Sequence, residues 1–170
     1  MTPAPDFPHP PAGRVWRFGN DVDTDAMAPG RYMKSSLDEL ARHCLATLRP
    51  EFPGGVRPGD IVVAGANFGM GSSREQAAQA LKHLGVAAVL APSFAGLFYR
   101  NAINLGLPVL VCPRTDALTD GIHATFDLDG ARVTLDDGTH VPCEPVPEFL
   151  RALLRAGGLI PHLKVRLGTP

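Results

Sequence analysis

Hydrophobic and polar positions along this chain fall into blocks, and the period changes from block to block. In residues 35–49, SSLDELARHCLATLR, the positions Leu37, Leu40, Ala41, Cys44, Leu45 and Leu48 form one helical stripe. Ser36 and Glu39 give the S-x-x-E pattern of a capped helix N-terminus, and Pro50 stops the helix. Residues 72–84 repeat the scheme. Ser72 and Glu75 fit a second capping box, Ala77, Ala78, Leu81 and Leu84 make the inner stripe, and Gly85 suits the position just past a helix end. A further helical stretch spans 93–106 and ends at Gly106, and the last spans 147–158.

Between these blocks lie short apolar runs without a polar face: VWRF (15–18), DIVVAG (60–65), VAAVLA (86–91) and PVLVC (108–112). Runs this short, rich in β-branched residues, predict buried strands. The order β-α-β-α-β over 60–112, with short links, predicts parallel strands joined by right-handed crossovers. After residue 112 the texture changes to ATFDL, ARVTL and THVPC, separated by DG and DDG, which are hairpin signals. The expected class is α/β: a parallel core within residues 19–112 plus an antiparallel hairpin region. Residues 1–170 read as one domain, with a loose Pro-rich leader over 1–13.

Composition narrows the function more than the fold. The chain has 170 residues, enough for one domain with a real core. A net charge of −1 supplies no field for nucleic acid or an anionic membrane. No apolar run approaches the roughly 18 residues that span a bilayer. The start, MTPAPDFPHPP, lacks the apolar segment of a signal peptide. Three cysteines, Cys44, Cys112 and Cys143, are a sparse, odd set that suits reduced thiols in a cytoplasm. No C-x-x-C occurs, which argues against an iron–sulfur or zinc site made wholly within this chain.

The glycine-rich stretch GANFGMGSSREQA (65–77) invites a phosphate-binding reading, and each known cradle fails on a specific residue. The dinucleotide pattern from Gly69 meets Arg74 where a glycine or alanine belongs. The P-loop lacks its lysine, and the G-x-S-x-G nucleophile elbow lacks its downstream glycine. What remains is a helix start that carries Ser72, Ser73 and Arg74. A cation there opposes the helix dipole, which is expected where an anion binds, and arginine grips a carboxylate or phosphate in a bidentate way. The plainer alternative is that Ser72 is only a cap and Arg74 only a surface residue.

Upstream, NDVDTD (20–25) places carboxylates at Asp21, Asp23 and Asp25. A calcium loop counted from Asp21 would need Gly at position 26 and Glu at 32, where Ala26 and Tyr32 stand. The loop is then either a solvated turn or the source of an aspartate that acts as acid, base or charge partner. Arg31 and Lys34 follow it as cations able to meet an anionic substrate.

Taken together, DVDTDAMAPGRYM, GANFGMGSSREQA and APSFAGLFYRNAINLGLPVLV resemble the small-subunit, or swivel, domain of the aconitase superfamily. The likeness is strongest to the small subunits of 3-isopropylmalate dehydratase and its homoaconitase-like relatives. It is dense over residues 14–112. The resemblance implies a swivel-type β/β/α fold and a dehydration–rehydration that moves a hydroxyl between adjacent carbons of a di- or tricarboxylate. It implies Ser72 as the base, acting as an alkoxide, Ser73 and Arg74 as the grip on a substrate carboxylate, and Asp25 as an active-site aspartate. It places Lys34 in a stretch that reads the substrate's variable arm. It implies a [4Fe–4S] cluster carried by a separate large subunit, and no cofactor or metal bound by this chain. Two departures stand out: Gly96 where relatives have arginine, and Pro92 where lysine is frequent. A cation at Lys34 suits a substrate with an extra carboxylate, and an apolar residue there would suit an isopropyl arm.

Overall fold

The computed structural model describes residues 10–169. Most of the expected leader lies outside them, and its last residue, Gly13, instead opens the first strand. A Cβ at Gly13 would lie 1.8 Å from the carbonyl oxygen of Gly59, so this crossing of two chain segments needs a glycine.

Seven strands form one sheet in the order β4-β3-β2-β1-β5-β6-β7. Strands β1 (Gly13–Arg17), β2 (Ile61–Val63), β3 (Ala88–Ala91) and β4 (Val109–Val111) run parallel, in register Val15↔Ile61, Ile61↔Ala88 and Val89↔Val109. Every residue of β2 and β3 is buried, which explains their unbroken apolar spelling. Strands β5 (His123–Asp127), β6 (Arg132–Leu135) and β7 (His140–Pro142) continue the sheet antiparallel. The segment leaving β7 then returns to the other edge of the sheet, where the amide of Glu144 donates to the Val111 carbonyl at 2.7 Å. The sheet thus curls until its ends meet.

The two short turns read in this half differ. In the β6–β7 turn Gly138 takes the left-handed conformation (φ +84°) that DDG signals. The β5–β6 loop is longer than a two-residue turn. There Ala131 (φ +50°), not Gly130, is left-handed, and the Gly130 amide is held by the Asp127 carboxylate.

The helices are α1 (Thr24–Met27), α2 (Leu37–Ala41), α3 (Phe52–Gly55), α4 (Glu75–His83), α5 (Gly96–Asn104), α6 (Glu148–Ala156) and α7 (Leu159–Leu167). The Ser36 cap is present, its hydroxyl accepting from the Glu39 amide at 3.2 Å. The helix expected over 35–49 nevertheless stops at Ala41. Leu45 adopts φ +58°, which lets its amide reach the Ala26 carbonyl at 2.7 Å while its side chain is fully buried. A long-range contact there overrides the local period. Helix α7 follows α6 directly and was not anticipated. Gly157 and Gly158, both with positive φ, turn the chain between the two helices. The core runs from Trp16 and Phe18, edge-on to Phe52 of α3, to Phe68 packed against Phe98 of α5. No helix is long and apolar enough to cross a membrane among the described residues.

Candidate active site

Three loops leave the carboxyl ends of adjacent parallel strands, where open α/β sheets form their sites. Loop 19–25 follows β1, loop 65–74 follows β2 and loop 92–95 follows β3. They are stitched together by backbone bonds. The Gly65 amide donates to Gly19, Asp21 to Ala66, Gly69 to Val22 and Thr24 to Met70, while Phe68 donates to Ser93 and accepts from Ala95. Side chains lock the same seam. Asn20 accepts from the Ala66 amide at 2.8 Å, and the Asn67 carboxamide donates to Asp21 at 3.0 Å. Asp21 (φ +55°) and Asn67 (φ +61°) both sit in the left-handed region, which Asp and Asn tolerate better than other non-glycine residues.

This stitching explains the glycines. A Cβ on Gly69 (φ +84°) would lie 2.3 Å from Phe98, one on Gly65 would lie 1.9 Å from the Asn20 carboxamide oxygen, and one on Gly71 (φ +100°) would press on the Thr24 hydroxyl at 3.2 Å. The glycines are there for loop-on-loop packing.

The three carboxylates of the acidic loop point to three different duties, so they converge on no cation. Asp21 accepts from Asn67, Asp23 caps α1 by accepting from the Ala26 amide at 2.7 Å, and Asp25 accepts from Arg74 at 2.7 Å and from the Gly30 amide at 3.1 Å. The Arg74 guanidinium, with the Gly30 amide next in weight, holds the Asp25 carboxyl below the usual carboxylate range. One arginine nitrogen, Nη1, is shared between Asp25 and the Ala28 carbonyl at 2.9 Å. The other terminal nitrogen, Nη2, takes no hydrogen-bond partner among the described residues.

The helix start differs from the sequence expectation. Helix α4 begins at Glu75, and Arg74, in an extended conformation, occupies the N-cap without a side-chain capping bond to the helix. Ser72 is therefore not a cap and the second capping box is not formed. Ser72 and Ser73 stand on the exposed loop before the helix, and the Ser72 carbonyl is tied to the Arg74 amide at 2.8 Å. The charge conflict expected of Arg74 with the helix dipole is relieved by its pairing with Asp25 and by Glu75 in the first turn.

The structure brings Asp25 and Arg74 into direct contact across 49 residues and presents Ser72 and Ser73 on the same loop as Arg74. Lys34 lies exposed just beyond a 3₁₀ turn (Gly30–Tyr32) and meets neither of them; no ion-pair partner approaches it among the described residues. That turn is anchored by Tyr32 stacked on His43, ring centroids 3.7 Å apart. Two contributors escaped the sequence reading. Asn20 and Asn67 hold the loops in place, and the only sign of them in the sequence was an asparagine beside each glycine-rich turn. Gly96 opens α5, and a Cβ there would meet nothing within 4 Å.

No three metal-ligating side chains converge among the described residues. All three cysteines are buried, Cys44 in the core and the other two at the end of β4 and beyond β7. This donor set does not suit a cluster with an open iron.

Residues 54–114 match the aconitase C-terminal domain family. Over nearly the whole chain, the methanogen homoaconitase small subunit of Methanothermobacter thermautotrophicus is 53% identical across 159 residues, covering 92% of each chain. The 3-isopropylmalate dehydratase small subunit of Nautilia profundicola is 50% identical across 157 residues, covering 91% of this chain and 95% of its own. The crystal structure of 3-isopropylmalate dehydratase from Methanocaldococcus jannaschii superposes with a TM-score of 0.87 at 46% identity, covering 92% of this chain and 94% of that one. The chain belongs to the aconitase superfamily, among the separate small subunits that include those of 3-isopropylmalate dehydratase. The swivel-type fold expected from the sequence is the one observed.

Proposed function

We propose that this chain is the small subunit of a hydro-lyase that isomerises 3-isopropylmalate or a related substituted malate or tricarboxylate, working with a large subunit. The observation that carries the reading is the Asp25–Arg74 pair beside exposed Ser72 and Ser73 at the carboxyl edge of the parallel strands. Arg74, held on one side by Asp25 and Ala28, offers its free side to a substrate carboxylate, and Ser73 adds a hydroxyl to that grip. Ser72, placed beside it, takes the weakly acidic proton α to a carboxylate. A serine is a poor base in water, so the step needs the positive charge of Arg74 nearby and a site from which water is excluded. The exposed loop lacks such cover by itself, and the large subunit supplies it. The large subunit's [4Fe–4S] cluster would supply the Lewis acid for the departing hydroxide.

Asp25 acts by holding Arg74 in place and by balancing its charge. Residues 1–170 act as one swivel domain. A second reading, a homoaconitase-type substrate with a further carboxylate, is favoured by one feature: Lys34 is an exposed cation on the loop that starts beside Arg74. Identity of 53% to a homoaconitase subunit and 50% to an isopropylmalate one does not separate the two. Anaerobic reconstitution with the large subunit, followed by assay on isopropylmalate and on tricarboxylates, tests both. Activity on neither class would overturn the proposal. A preference for the tricarboxylate that is lost in Lys34→Leu would establish the second reading.

A further inference from the structure

The second feature that could do chemistry lies outside these loops, where the curled sheet closes. Cys112 directly follows β4 and Cys143 follows β7, the two edge strands of the sheet. They are 31 positions apart in the sequence, yet the seam places them side by side. The Glu144 amide donates to Val111 at 2.7 Å, and the Cys112 thiol lies 3.4 Å from the Arg114 carbonyl and 3.7 Å from the Pro142 carbonyl. Pro142, whose carbonyl meets the Cys112 thiol, directly precedes Cys143, so the two cysteines are neighbours across the seam. The proximity of the two thiols favours the thiolate at Cys112 and disfavours it at Cys143. No third ligating side chain joins them among the described residues, so theirs is the chemistry of a dithiol.

The pair is buried but not remote. Arg114 and Pro142, whose carbonyls face the Cys112 thiol, line an open cleft of about 280 Å³ together with Asp116, Thr139 and His140. Cys44, by contrast, is enclosed in the core, where burial pushes its thiol far up. The dithiol also touches the site's own scaffold. The Cys112 amide donates to Ala91, the last residue of β3, at 2.8 Å, and the loop that supports Phe68 begins one residue further on.

We propose that Cys112 and Cys143 form a redox-sensitive dithiol that a peroxide converts to a disulfide closing the sheet seam. The Cys112 thiolate attacks one peroxide oxygen; the S–O bond forms, the O–O bond breaks, and hydroxide leaves to become water. The Cys143 thiol then attacks the Cys112 sulfenic sulfur, the S–S bond forms, and the sulfenic oxygen leaves as a second water. Cys112, whose thiol faces the carbonyls of the cleft-lining Arg114 and Pro142, is the attacking residue and Cys143 the resolving one. The disulfide ties the hairpin region to the parallel half on the same sheet edge that carries Ser72 and Arg74. The inference concerns this chain alone and does not depend on the proposed reaction.

The test treats the purified full chain with stoichiometric hydrogen peroxide and maps its thiols. The expected product is a monomer that has lost two hydrogens, with titratable thiols after denaturation falling from three to one. Its peptide map should show a Cys112–Cys143 link that dithiothreitol reverses. The oxidised form should melt higher by about 5–10 °C, as a cross-link closing a loop of some thirty residues does. In Cys143→Ser, dimedone should label Cys112 and no internal disulfide should form. In Cys112→Ser, peroxide consumption should fall at least about tenfold. Three free thiols surviving peroxide, a link that includes Cys44, or oxidation only between molecules would each overturn the assignment. Because the wild-type peptide map decides the matter alone, a variant that fails to fold leaves the test intact.

Discussion

The two halves of the sheet are built from the same short apolar strands, and they put their loops to opposite uses. In the antiparallel half, β5 to β7, each connection closes on itself within a few residues. Gly138 turns one hairpin, Asp127 holds the amide of Gly130 in the other, and Arg151 and Arg155 of α6 are clamped to Asp129 and Glu148. These turns settle their backbone groups within a few residues, and α6 closes over them through its arginines. In the parallel half each strand must hand the chain to a crossover, so its loops end far from their sequence neighbours. They satisfy one another instead, through Asn20, Asp21 and Asn67, and leave Ser72, Ser73 and one side of Arg74 exposed. The candidate site forms where backbone partners are distant, because there Asp25 and Arg74 converge from separate loops.

That contrast can be broken at several points. The largest effect should come from Ser72→Ala. Reconstituted with the large subunit, it should lose about 10²–10⁴ in kcat with little change in melting temperature. Wild-type turnover in this variant would remove the serine from the mechanism. Gly69→Ala should strike the scaffold instead. A methyl 2.3 Å from Phe98 on a left-handed backbone should cost about 3 kcal/mol, read as a lower denaturation midpoint. If it folds with unchanged stability, the packing account of the glycine loop is wrong. Arg74→Lys retains the charge but loses the fork, so kcat/KM should drop about 10- to 100-fold, chiefly through KM.

On the other half, Arg155→Ala should cost only about 1 kcal/mol, since Arg151 still reaches Asp129, and should leave turnover unaltered. A large loss of activity there would erase the division between the halves. The smallest effect concerns pH. Asp25 has a folded-state pKa below its ordinary value of 3.8, so the stability it adds is complete above that value and disappears as pH falls through the lowered one. Melting curves of wild type and Asp25→Asn should therefore differ slightly at neutral pH and converge in strong acid. A difference that grows on acidification would contradict the sign of this pairing.

Much of the fold was legible because its signals are short-range. The Ser36 cap, the buried runs of β2, β3 and β4, and the left-handed glycines Gly85 and Gly106 after α4 and α5 all lie where their local spelling puts them. The errors came where a distant contact outweighed a local preference. Leu45 abandons its helix to reach Ala26, and Ser72 gives up the cap position because the chain bends there and Arg74, still extended, takes the N-cap. Helix α7 was missed because no polar loop separates it from α6, only two glycines.

By itself the sequence determined the alternation of elements, the switch from parallel to antiparallel pairing near residue 112, and the residue types of the candidate site. Those properties are written in windows of a few residues, where period, capping and glycine conformation act directly. The tertiary structure alone decided which partner each side chain has. It set Arg74 against Asp25 across 49 residues, Asn67 against Asp21 across 46, and the Cys112 and Cys143 thiols together at the closing seam. Loop closure over such spans weakly depends on the intervening residues, so no local pattern encodes the pairing. It follows from the strand order and from the curl that brings β4 and β7 to one edge.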